Sequence, residues 1–121
     1  MSPAAQAMLE KVRTYRHVSM VELTRVFDEI CGEGTSEGDQ QITLAPPHEN
    51  LVLWACVSVE FCDAFDEIRP FATLDPAHWL VYLHDGAALR LPLAKRPPKA
   101  GYKKPHWVPV VLNPNGREPA A

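Results

Sequence analysis

Twelve prolines in 121 residues, roughly twice the usual share of about 5%, divide this chain more firmly than any other feature. Proline gives no N–H to a helix or a ladder, and its ring fixes φ. Pro3 follows Ser2 where a helix tolerates it, at the first helical position behind an N-cap. Ala5, Met8, Leu9, Val12 and Tyr15 then recur at helical spacing, which predicts a helix to about Arg16. Ser19 and Glu22 have the S-x-x-E spacing of a capping box, with Val18 and Leu23 placed as a hydrophobic staple. Met20, Leu23, Phe27 and Ile30 give this second helix its apolar stripe, and Gly32 ends it. Residues 33–40, EGTSEGDQ, contain no apolar side chain and read as a solvated loop. Residues 41–45 alternate as a short strand until Pro46 and Pro47 stop it.

The next proline-free stretch, residues 48–69, holds the most apolar run of the chain. Its β-branched residues suit a buried strand, so residues 50–60 stay open between the two states. The recurrence of Leu51, Trp54, Phe61, Phe65 and Ile68 nevertheless predicts a third helix over residues 49–68. Beyond Pro70, HWLVYLH (78–84) and AALRLPL (87–93) flank Asp85-Gly86, a pair suited to the positive φ of a type I′ turn, so a β-hairpin is expected. That register puts Leu80, Tyr82, Leu89 and Leu91 on the core face and Trp79, Val81 and Leu83 on the other. Residues 107–112, WVPVVL, read as a further strand, an edge one because of Pro109. The expected fold class is α+β: one compact domain over residues 1–112, with three helices packed on a small antiparallel β-sheet with a β-hairpin wing. Residues 113–121 are expected to be a disordered tail.

Hydrophobic residues at 46% and charged residues at 22% argue against a disordered or collagen-like chain. No apolar run approaches the roughly 18 residues of a membrane span. The start of the chain lacks the pattern of a signal peptide, and three unremarkably spaced cysteines fit a reducing, cytoplasmic setting. The net charge of −3 hides a strong polarity. Residues 31–85 carry ten carboxylates against Arg69 alone, and residues 86–121 carry seven Lys and Arg against Glu118. Either the two segments face each other, or the basic one attracts an anionic partner.

Metal and catalytic signatures are weak. There is no C-x-x-C, and Cys56 and Cys62 lie six apart, which does not place them on one face of the expected helix. No G-x-S-x-G, Walker-type or dinucleotide-binding glycine motif is present. His78 and His84 share a face of the expected strand and would be the one acid–base pair, although solvated strand ends explain them more simply. We therefore expect no metal, no cofactor and no enzyme. The segment that stands out is KRPPKAGYKKP. Lys95, Arg96, Lys99, Lys103 and Lys104, with Arg90 in support, suit phosphate contact, and Tyr102 or Trp107 suits stacking on a base or sugar. The competing reading is a solubilising loop that guards an edge strand. A second expectation is a protein-binding module, using Trp79, Val81 and Leu83 or the acidic helix against a partner or a second copy in a homodimer.

Helices followed by a β-hairpin with a basic outer segment resemble the winged-helix class of DNA-binding domains. VSMVELTRVF, residues 18–27, is similar to the capped helix that opens many helix-turn-helix units. In that class the helix before the wing reads the major groove with polar and basic side chains. Here it carries Glu60, Asp63, Asp66 and Glu67 and no Lys or Arg before Arg69. The resemblance therefore implies either that the wing side binds or that the domain serves protein interaction.

Overall fold

Both N-terminal helices begin where a serine can satisfy orphan backbone donors. In the computed structural model, which describes residues 1–119, Ser2 Oγ accepts from Ala5 N at the start of α1 (Pro3–Tyr15). Ser19 Oγ accepts from Glu22 N at the start of α2 (Met20–Cys31). Strand β1 (Val18–Ser19) leads into α2, and Val18 and Leu23, the expected staple, are both fully buried. Gly32, at φ 115°, ends α2.

The expected helix over residues 49–68 divides at Ser58. Its first half is strand β3 (Leu51–Val57), antiparallel to β2 (Glu37–Thr43), and its second half is α3 (Val59–Ile68). Four consecutive residues, Leu51 to Trp54, are buried, which a helix with one solvated face cannot achieve but a strand covered on both faces requires. Ser58 Oγ accepts from Phe61 N and restarts the chain as a helix. β2 also reaches back into the segment expected to be loop, and its first five residues are exposed.

After a 3-10 turn (Arg69–Phe71) comes β4 (Ala72–Pro76). The hairpin wing expected around Asp85-Gly86 is instead a six-residue helix, α4 (Leu80–Asp85). Gly86, at φ 99° and ψ 8°, supplies the left-handed residue that closes a helix rather than one that turns a hairpin. Two strands follow, β5 (His106–Trp107) and β6 (Val110–Pro114). β6 is the middle strand of the sheet β1-β6-β4, so it is not an edge, and Pro109 escapes the ladder by lying between β5 and β6. The second sheet has the order β2-β3-β5, with β5 parallel to β3. The fold is α+β, with four α-helices and two three-stranded sheets among the described residues rather than three helices on one sheet. Asn113 and Pro114, placed in the tail by sequence, pair with Thr73 and Ala72. Asn115 Nδ2 donates to Pro70 O, tying down the next residue as well. The tail expectation also takes in residues 120 and 121, which lie outside the described residues.

Helices α1, α2 and α3 bury Met8, Val12, Leu23, Phe27, Phe61 and Phe65 in one core, where Phe27 meets Phe61 edge to face at 5.6 Å. The two sheets are joined by an aromatic cluster. Tyr82 of α4 lies 5.1 Å from both Trp54 of β3 and Trp107 of β5, ring centre to ring centre. Its hydroxyl donates to Val110 O of β6 at 2.6 Å and accepts from Met20 N at 3.1 Å. One fully buried side chain thus links α2, α4 and both sheets.

Candidate nucleic-acid interface

The basic segment leaves the fold along the free edge of β5. Leu93 bridges Trp107 in parallel, Trp107 N donates to Pro92 O at 2.8 Å, and Ala94 N donates to Trp107 O at 3.0 Å. Residues 92–94 therefore cover the edge that the loop was expected to guard. Beyond them a turn closes from Gly101 N to Pro98 O, and Gly101, at φ 83°, lies against the backbone of Pro47 so closely that a Cβ there would collide with the Pro47 carbonyl. Asn50 makes the next attachment from both ends, Nδ2 donating to Tyr102 O and its own carbonyl accepting from His106 N, each at 2.7 Å. The loop is thus pinned to the connection between β2 and β3. Tyr102 stacks on His106 with ring centres 3.7 Å apart and planes 14° from parallel, while His106 Nδ1 lies 2.8 Å from Lys104 O.

This scaffold leaves Lys95, Arg96, Lys99, Lys103 and Lys104 exposed. Among the described residues none of them forms a salt bridge; the two found are Lys11–Glu22 at 3.8 Å and His84–Asp85 at 3.5 Å. Five cations within ten residues, held beside a stacked aromatic pair, suit an anion with repeated charge and flat bases. Arg90 is exposed on the segment after α4, outside this loop. Trp107, the other aromatic expected to stack, is 3% exposed and belongs to the core. Asn50, Gly101 and His106 were missed by sequence reasoning, and only Gly101, a glycine among prolines and lysines, carried a local signal.

The other sequence-predicted residues are rearranged by α4. Trp79 and Leu83 remain exposed, at 37% and 51%, and are one helical turn apart. Val81 turns inward and packs against the core, and Leu80, expected in the core, takes its place outside at 53% exposure. His78 precedes α4 and accepts from Leu80 N, and His84 sits near its end; both are exposed. Cys56 is an exposed strand residue at φ 60° rather than a core helix residue, whereas Cys62 lies on α3. Burial, then the Asp66 and Asp63 carboxylates, push the Cys62 thiol above its usual range. On α3, Glu60, Asp63 and Asp66 are exposed. Glu67 accepts from Ser2 Oγ at 2.7 Å and Ser2 N at 3.1 Å, which holds its carboxyl below the usual range.

No family model, curated protein or solved structure matches the chain. No helix among the described residues is long and apolar enough to cross a membrane.

Proposed function

We propose that this chain is a small, non-enzymatic nucleic-acid-binding protein that holds phosphates with the loop over residues 95–104. The observation that carries the reading is the cluster of five exposed lysines and arginines that form no salt bridge among the described residues, presented on a loop fixed at Gly101 and Tyr102. A fixed loop loses less conformational freedom on binding than a floppy one. Tyr102 on His106 adds an aromatic surface beside the charges. The helix over residues 49–68 and the hairpin at Asp85-Gly86, on which the winged-helix resemblance depends, are β3 with α3 and the short helix α4 here, so the reading rests on the basic loop itself. The neighbouring connection between β2 and β3 carries Glu49 and no Lys or Arg, so phosphate contact is assigned to the basic loop.

The test is fluorescence anisotropy of a labelled single strand and a labelled duplex over a range of salt. It compares the natural chain with a variant in which Lys95, Arg96, Lys99, Lys103 and Lys104 are all replaced by Gln. Binding should weaken steeply with salt, with a log–log slope of about −4 to −5 on duplex if all five charges contact phosphate. The variant should lose it. Equal binding by the variant, or none at low salt, overturns the reading.

A second reading, a protein-binding module, is favoured by Trp79, Leu80 and Leu83, which stand exposed together on and before a short helix. It predicts that Leu80→Asp with Leu83→Asp abolishes capture of a partner while leaving nucleic-acid binding unchanged.

A further inference from the structure

The acidic and basic stretches of this chain do not neutralise each other. Neither salt bridge among the described residues joins residues 95–104 to a carboxylate of residues 31–85. Three of those carboxylates, Glu60, Asp63 and Glu67, instead border a groove of about 690 Å³ between the start of α1, the end of α2 and α3. Pro3, Phe27, Ile30 and Ala64 give it an apolar lining, and Ile30 is 50% exposed there. Through Phe27, Cys31 and Glu60 it continues into a second hollow of about 310 Å³ bordered by Glu37. Glu37, Glu60, Asp63 and Glu67 are spaced along this path, and no Lys, Arg or His lines either part.

We propose that this groove is the docking site for residues 95–104 of a second copy of the chain. That segment, KRPPKAGYKK, brings five cations together with Pro97, Pro98 and Tyr102, which matches a groove with an apolar lining and carboxylate borders. A loop already held by the Pro98–Gly101 turn and by Asn50 loses little freedom on docking. Pairing beside an apolar surface, partly shielded from water, makes each contact stronger than at a fully solvated site. The contact is heterologous: one copy gives its loop, the next its groove, and each still has a free end. Association is therefore open-ended, grows with concentration and falls with salt. The proposal does not rest on nucleic-acid binding, although a nucleic acid on the loop would compete with it.

The experiment is size-exclusion chromatography with light scattering at low and high salt over a range of concentrations. The natural chain should rise above its single-chain mass of 13.5 kDa at low salt and return to it at high salt. A groove variant, Glu60→Lys with Asp63→Lys, and the five-Gln loop variant should each remain single chains. Mixed, they should form a closed one-to-one pair, because one retains the loop and the other the groove. All the substituted positions are exposed, and a circular-dichroism melt checks that both variants are folded. A natural chain that stays at single-chain mass at every concentration overturns the proposal, as does a mixture that does not pair. Loss of association on Leu80→Asp with Leu83→Asp instead would move the contact to α4 and overturn it too. The groove variant keeps every loop cation, so its nucleic-acid binding separates failure here from failure of the function proposed above.

Discussion

Helices α2 and α4 touch each other and both touch β1, yet they are held in opposite ways. α2 has twelve residues, a serine cap, Glu22 in its first turn and an apolar stripe along its length. α4 has six residues, no side-chain cap and a single fully buried side chain, Tyr82. A helix that short is not stable by itself in water. What keeps α4 helical is the seat of Tyr82 between Trp54 and Trp107 and the two hydrogen bonds of its hydroxyl. Ser19 connects the two helices. Its Oγ caps α2 and donates to Asp85 Oδ2 at 2.6 Å, while Arg25 of α2 donates to the Asp85 carbonyl. One helix is thus specified by its neighbours along the chain, the other by its neighbours across the fold.

Tyr82→Ala breaks the comparison most severely. Removing a fully buried aromatic side chain costs about 3–5 kcal/mol, and urea unfolding should show that loss, with α4 frayed in hydrogen exchange while α2 stays protected. Tyr82→Phe keeps the ring but leaves Met20 N and Val110 O without their partner, at about 1–3 kcal/mol. The same pair of proteins yields a pH test. Burial is the main cause that pushes the Tyr82 hydroxyl up from 10.0 to about 12. The neutral form is therefore favoured by folding. Its contribution is complete below pH 10 and declines as pH rises from 10 towards about 12, by up to about 3 kcal/mol from this group. The stability of Tyr82→Phe should be flatter across that window, and an equal decline in both proteins would show that Tyr82 is not the cause.

Smaller effects sharpen the contrast. Ser19→Ala removes the α2 cap and the link to Asp85 together and should cost about 1–2 kcal/mol in chemical unfolding. Gly86→Ala should cost about 1 kcal/mol. A Cβ there would meet only Arg25 Nη2 at an ordinary 3.5 Å, so the penalty comes from φ 99° alone. The five-Gln loop variant should cost least, less than about 0.5 kcal/mol in chemical unfolding, because its side chains are exposed and form no salt bridge among the described residues. A larger loss would make the loop part of the fold rather than a surface for binding.

The same division runs through what could be read from the sequence. Ser2, Pro3, Ser19 and Gly32 act within a few residues of themselves, so the boundaries of α1 and α2 were legible, while the Glu22 carboxylate expected to complete the capping box pairs instead with Lys11 of α1. Ser58 carried an equally local signal, yet the apolar spacing from Leu51 to Ile68 spans it and reads as one helix. Gly86 was rightly read as a residue for positive φ, but a type I′ turn and a helix end both use that conformation, and the flanking residues do not choose between them. The choice changed which residues of 79–83 face outward, removing Val81 and admitting Leu80. In the basic loop the charges were visible in the sequence. Their anchors, Asn50 and the Pro47 carbonyl beneath Gly101, lie about fifty residues away along the chain and left no mark near it.

The sequence by itself determined the α+β class, the two capped helices, the placement of charge and the exposure of the five cations between residues 95 and 104, because each follows from short-range patterning and hydrogen bonding or from the cost of burying a lone ion. Only the tertiary structure decided that residues 51–57 are a strand, that residues 80–85 are a helix and that Trp107 belongs to the core. Those segments are apolar on more than one side, and their conformation follows from which buried surfaces meet Tyr82, a contact between residues far apart in the chain.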